Sequence, residues 1–120
     1  MKNILIIDDE PISIRIIRNY IGDSYKVNAV TDGNAAMKYL SKYKPDGILL
    51  DYMMPIYDGA HFFEMLSKNR EWSSIPVIVV TGVTDEAKLA AIRETGVKHI
   101  VSKPVDKQAL LATLAEVVGN

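Results

Sequence analysis

GILLDYMMP, residues 47–55, is the stretch on which the fold turns. Gly47, Ile48, Leu49 and Leu50 run without polar alternation. A strand with one wet face alternates apolar and polar residues, whereas a strand covered on both faces does not. The run therefore predicts a buried strand of a parallel sheet. It stops on a carboxylate, Asp51, and Tyr52, two methionines and Pro55 follow. No basic residue stands near Asp51 in sequence to pair with it. A buried strand ending on such an acid must draw its charge partners from other parts of the chain.

On the N-terminal side, NILIID (3–8) is another continuous apolar run that ends on acids. Pro11 then suits the first turn of a helix, where its missing N–H costs nothing. Ile12, Ile16, Ile17, Tyr20 and Ile21 give that helix an apolar face, and Gly22 closes it. YKVNAV (25–30) alternates and reads as a strand nearer the sheet edge. TDG (31–33) supplies a turn and a cap, and Ala35, Ala36, Tyr39 and Leu40 mark a second helix closed before Pro45.

On the C-terminal side, a third helix starts at Asp58, with Phe62, Phe63 and Leu66 inward. IPVIVVTG (75–82) is a β-branched fourth strand ending at Thr81 and Gly82. Thr84 caps a fourth helix, and Gly96 ends it as a C′ residue. VKHIVSKP (97–104) holds a short fifth strand. Asp106 caps a fifth helix carrying Leu110, Leu111, Leu114 and Val118. Five strands thus alternate with five helices. Right-handed crossovers make of them one doubly wound α/β domain over residues 1–120, with a five-stranded parallel sheet.

Composition narrows the function. The chain has 120 residues, 48% hydrophobic and 24% charged, an ordinary globular balance. Its net charge of −1 gives no reason to expect a nucleic-acid or membrane surface. With no cysteine, disulfides, zinc–thiolate sites and thiol catalysis are excluded. The first ten residues are too short and too acidic for a signal peptide, and no run reaches the ~20 apolar residues of a membrane span. A cytoplasmic location is expected.

In open parallel sheets, functional residues lie beyond the carboxyl ends of the strands. Those ends carry Asp8, Asp9 and Glu10, then Asp51, then Thr81, then Lys103 before Pro104. Adjacent strands stand ~4.8 Å apart, so these side chains converge. Taken singly, each has a plain reading: Asp9 or Glu10 as a helix cap, Thr81-Gly82 and Lys103-Pro104 as turns. Their convergence is what those readings do not explain. Crowded carboxylates repel, and one lysine cannot neutralise three. An all-oxygen ligand set favours a hard cation, Mg²⁺.

These residues resemble the receiver domain of two-component response regulators. The resemblance runs the length of the chain, through ILIIDDE, LLDYMMPIYDG, PVIVVTG and VSKPV. It implies the flavodoxin-like strand order 2-1-3-4-5, which is carried over from that family. It implies that Asp51 accepts a phosphoryl group from a sensor histidine kinase, a histidine phosphotransfer protein or a small phosphodonor. Asp8, Asp9, Asp51 and the backbone carbonyl of Met53 would hold Mg²⁺. Lys103 and Thr81 would bind phosphoryl oxygens. Lys103-Pro104 matches a peptide bond that is typically cis in receivers. Phosphorylation would shift the face made by the fourth helix, fifth strand and fifth helix, which addresses an output protein or a fused effector domain. The domain would act as a monomer or a weak phosphorylation-dependent dimer, with no direct nucleic-acid or membrane contact. It would be no enzyme beyond its own phosphotransfer and slow autodephosphorylation. Receivers often carry an aromatic switch residue three positions before the lysine; here that position is Ile100. Met53 and Val83 occupy the positions that tune hydrolysis in the family.

Rival readings fit less well. A flavodoxin-type module needs a hydroxyl- or glycine-rich phosphate loop after the first strand, where this chain has DDEP (8–11). Neither G-x-G-x-x-G nor G-x-x-x-x-G-K-[ST] is present. A haloacid-dehalogenase-like phosphatase, which also forms an aspartyl phosphate, expects an acid at position 53, where Met53 stands. A purely structural interaction module would not require the acids. The N-terminal receiver of a longer regulator with an effector domain is the nearest alternative.

Overall fold

β3 (Gly47–Asp51) is buried at every position and has a neighbour on each side, as its unbroken apolar run requires. The computed structural model describes residues 1–52 and 59–119. The remaining strands are β1 (Asn3–Ile7), β2 (Lys26–Val30), β4 (Val77–Thr81) and β5 (His99–Ser102). All pair in parallel, in the order β2-β1-β3-β4-β5. The helices are α1 (Pro11–Ile21), α2 (Gly33–Lys42), α3 (Gly59–Lys68), α4 (Glu86–Glu94) and α5 (Lys107–Val117).

Alternate strand residues point to opposite faces, and the helices divide accordingly. Ile4, Ile6, Leu49, Ile78, Val80 and Val101 pack against Ile17 and Ile21 of α1 and Leu110 and Leu114 of α5. Leu5, Ile7, Ile48 and Leu50 pack on the other face, against Ala36 and Leu40 of α2 and Phe62 and Leu66 of α3. Val79 continues that face under α4, with Tyr52, Ile92 and Val97. Burying each such side chain contributes about 1.5–3 kcal/mol, which holds the strand ends as rigid supports.

Register sets the site. Ile7 lies opposite Leu50, and Asp51 lies opposite Val80. Asp8 therefore follows β1 beside the end of β3, and Thr81 is the next residue along β4. Thr81 pairs with Ser102, so Lys103 is the first residue beyond β5 at the same edge.

Three local expectations are corrected. Ile12 and Ile16 do not face the core: Ile12 is 72% and Ile16 40% exposed. The inward stripe of α1 is instead Ile14, Ile17 and Ile21, at i, i+3 and i+7, turned toward the core beneath α5. Asp85, not Thr84, caps α4, because its carboxylate accepts from both the Ala87 and Lys88 N–H groups. Tyr25 lies before β2 and buries its ring, with its hydroxyl donating to the Gly119 carbonyl at 3.0 Å. The caps expected at Asp32 and Asp106 accept from Ala35 and Ala109 N–H. Gly96 has φ +104°, the left-handed region that glycine adopts without strain.

Candidate functional site

Asp8 is the most enclosed acid of the site, 1% exposed. Its own N–H donates to the Val30 carbonyl at 3.1 Å and so prolongs the β1–β2 ladder past the strand. One carboxylate oxygen, Oδ1, accepts from the Glu10 N–H at 2.9 Å, and Oδ2 accepts from Lys103 Nζ at 3.2 Å. Asp9 is half-buried and Glu10 is exposed. Asp51, 5% exposed at the end of β3, stands 3.6 Å from Lys103 Nζ through its Oδ2. Asp8, Asp9, Glu10 and Asp51 each present a carboxylate oxygen within 4.8 Å of all the others. Four acids thus crowd together, and three of them, Asp8, Glu10 and Asp51, lie within 3.6 Å of one ammonium.

Lys103 reaches this cluster from β5. Its backbone N–H donates to the Thr81 carbonyl at 2.8 Å, tying it to the end of β4, and its peptide bond to Pro104 is cis. Burial alone would depress the ammonium's pKa. The charges of Asp8 and Asp51, with hydrogen bonds to Asp8 and Glu10, outweigh burial and hold it above the ordinary lysine value. Lys103 is therefore a fixed cation at neutral pH. The Thr81 side chain is buried at the same edge, and its Oγ1 accepts from the Val83 N–H at 3.2 Å. That bond occupies a lone pair and leaves the hydroxyl proton able to donate elsewhere.

The other expected residues take their places around this core. Val83 is half-buried just beyond Thr81. Ile100 lies opposite Val79 and packs against the cluster of Tyr52, Val79, Ile92 and Val97. Met53, and with it the expected carbonyl ligand, lies outside the described residues, as do residues 54–58. Gly59 is the first residue of α3. Its N–H donates to the Tyr52 carbonyl at 2.8 Å, and a Cβ there would collide with the Tyr52 backbone. Only glycine permits this approach, so the start of α3 is pinned against the end of β3.

Glu10 belongs to the site more closely than the sequence reading gave it credit for. As the N-cap of α1 it makes no side-chain cap bond. Its carboxylate instead lies 3.3 Å from Lys103 Nζ. The signal was the acid run before Pro11, which helix capping explained equally well.

With this geometry, a buried carboxylate, a fixed cation, a hydroxyl and further acids meet at the carboxyl edge of a doubly wound sheet. The chain belongs to the response regulator receiver domain family, whose profile matches residues 4–115. It is a phospho-accepting receiver of two-component signalling. Among curated proteins it is similar to Protein PilH of Pseudomonas aeruginosa, 31% identical over 121 residues and 100% of both chains. It is also similar to the polar-differentiation response regulator DivK of Brucella anthropi, 27% identical over 99% of this chain and 98% of DivK. Among solved structures, the receiver domain of the sensor histidine kinase PA1611 of Pseudomonas aeruginosa superposes with a TM-score of 0.88. It covers 99% of this chain and 98% of that one at 22% identity, a likeness of fold. That receiver was solved with a magnesium ion coordinated in its active-site cleft.

Proposed function

We propose that Asp51 is the phospho-acceptor, that Asp8, Asp9 and Asp51 hold Mg²⁺ with the Met53 carbonyl, and that Lys103 and Thr81 bind the phosphoryl oxygens. The observation that carries this reading is the buried Asp51 carboxylate, 3.6 Å from Lys103 Nζ and surrounded by three further acids. The donor set fits the ion. It is all carboxylate oxygen, two of its acids are buried, and their crowding favours a bound dication. PA1611, the relative of like fold, carries magnesium in its cleft. When bound, Mg²⁺ supplies charge neutralisation between an anionic nucleophile and an anionic phosphoryl group.

The residues of the chain divide the remaining work. An Asp51 oxygen attacks phosphorus, the P–N bond to the donor histidine breaks, and its electron pair leaves with the imidazole. Asp51 is held at the end of a strand buried on both faces, so its approach direction is set before the donor arrives. Lys103 Nζ, already facing Asp51, takes a phosphoryl oxygen as a point charge. Thr81 turns its hydroxyl proton to another. Lys103 and Thr81 sit at the ends of β5 and β4 and are joined by a backbone hydrogen bond, so a pull on either moves both strands. Ile100 packs beneath α4, and through it that pull reaches the face of α4, β5 and α5, where an output partner reads the state.

On the donor side, Ile12 and Ile16 lie exposed on α1, directly after the acids. An apolar pair beside an anionic site suits a protein donor that presents its phosphohistidine on a helix. The chain's chemistry is confined to its own phosphorylation and dephosphorylation, in the cytoplasm. No helix among the described residues is long and apolar enough to cross a membrane.

Incubation with acetyl phosphate tests the reading. Label is expected with Mg²⁺, and is expected to be lost with EDTA or in Asp51→Asn. Equal labelling of Asp51→Asn would overturn it.

A further inference from the structure

The Lys103 ammonium is already engaged by carboxylates before any phosphoryl group arrives. It lies 3.2 Å from Asp8, 3.3 Å from Glu10 and 3.6 Å from Asp51. Asp8 and Asp51 are fixed at buried strand ends, whereas the Glu10 side chain is 63% exposed and makes no cap bond to its own helix. Its backbone is anchored, with the N–H on Asp8 Oδ1 at 2.9 Å. Glu10 is thus hinged on one metal-binding acid while its carboxylate covers the lysine from the solvent side.

Resting on the acceptor reading above, we propose that Glu10 is a positioning residue acting through Lys103: its carboxylate stands where an incoming phosphoryl oxygen must bind and holds the lysine until that oxygen displaces it. In the transfer, the Asp51 O–P bond forms and the donor's P–O or P–N bond breaks. The electron pair leaves with the acetate or imidazole. Lys103 exchanges the Glu10 carboxylate for a phosphoryl oxygen. Glu10 swings into solvent, which costs it little because it is exposed and strongly hydrated there. The arrangement keeps Lys103 oriented at rest and slows reaction with weakly bound donors. A protein donor docked on α1 brings further contacts to offset the displacement.

An exposed ion pair of this kind is worth little, so the effect is modest. Glu10→Gln keeps the shape and the helix start and removes the charge. It is expected to speed labelling by acetyl phosphate about two- to fivefold, the scale of such a pair at about tenfold per 1.4 kcal/mol. Loss of one negative charge could speed an anionic donor without touching Lys103. A denaturation cycle of Glu10→Gln, Lys103→Met and the double variant separates the two explanations. Direct contact predicts that the double variant departs from the sum of the single ones. Faster labelling with an additive cycle overturns the proposal in favour of general charge. A wild-type labelling rate in Glu10→Gln overturns it while leaving Asp51 as acceptor. An unlabelled wild type overturns the acceptor reading and this inference with it.

Discussion

Lys103 Nζ donates to Asp8 Oδ2 at 3.2 Å across 95 positions of the chain, joining the end of β5 to the end of β1 over the intervening strands. Asp8 is buried, so its charge depends on that ammonium more than a surface acid's would. Lys103→Met is expected to destabilise the metal-free protein by about 2–3 kcal/mol, read by urea denaturation. The pairing raises the Lys103 pKa above its ordinary value. Its stabilisation is therefore complete below the unfolded lysine value of about 10.4 and is lost as pH rises through the folded value. The gap between wild type and Lys103→Met should hold constant from neutral pH to about 10 and close only above that. A gap that closes between pH 6 and 8 would contradict this assignment.

Four acids crowd together and three of them face one ammonium, so removing an acid relieves repulsion. Asp51→Asn is expected to melt at a higher temperature than wild type in EDTA. Added Mg²⁺ should reverse the order, since a ligand bound only by the folded state stabilises by about 2.7 kcal/mol at a hundredfold excess over Kd. Thermal melts with and without metal test both halves. A wild-type melting temperature indifferent to Mg²⁺ would remove the metal from the account.

Ile12 and Ile16 separate the two kinds of donor. Ile12 is 72% exposed, so Ile12→Ser should leave stability within about 0.5 kcal/mol. This neutral variant, which adds no charge beside the acids, should leave acetyl phosphate labelling near wild type and slow transfer from a phosphohistidine protein at least tenfold. Equal losses with both donors would place the defect in the site and not in docking.

Decay of the phosphoryl group is expected to be slow. Methionine at position 53 offers no donor to hold an attacking water in line, and half-buried Val83 adds apolar cover next to Thr81. Met53→Asn should speed loss of label once the donor is removed, and Val83→Ala should do so less. A wild-type half-life of a few seconds, or no acceleration in Met53→Asn, would sink the argument.

Much of this was legible in the residues. The unbroken runs at 4–7, 48–50 and 77–80, of strand length and bounded by acids and turn residues, read as strands covered on both faces, and that set the layer architecture. The acids, threonine and lysine then fell at one edge because every strand is parallel. What the pattern missed were choices between near-equal neighbours. Ile12 and Ile14 both fit a helical stripe, and only packing under α5 decides which one faces inward. Thr84 and Asp85 are both good caps, and the bonds to Ala87 and Lys88 go to the aspartate. Glu10 could cap a helix or face a lysine. Nothing local reveals the second role, because its partner lies 93 positions away.

The central claim is that the phosphoryl group resides on Asp51. Borohydride reduces an aspartyl phosphate to homoserine, so treatment of the labelled protein followed by peptide mapping marks the acceptor directly. Homoserine at position 51, formed only when phosphodonor and Mg²⁺ are both supplied, is the predicted result. Homoserine at position 8 or 9, or a label that survives as phosphohistidine at His61 or His99, would contradict it.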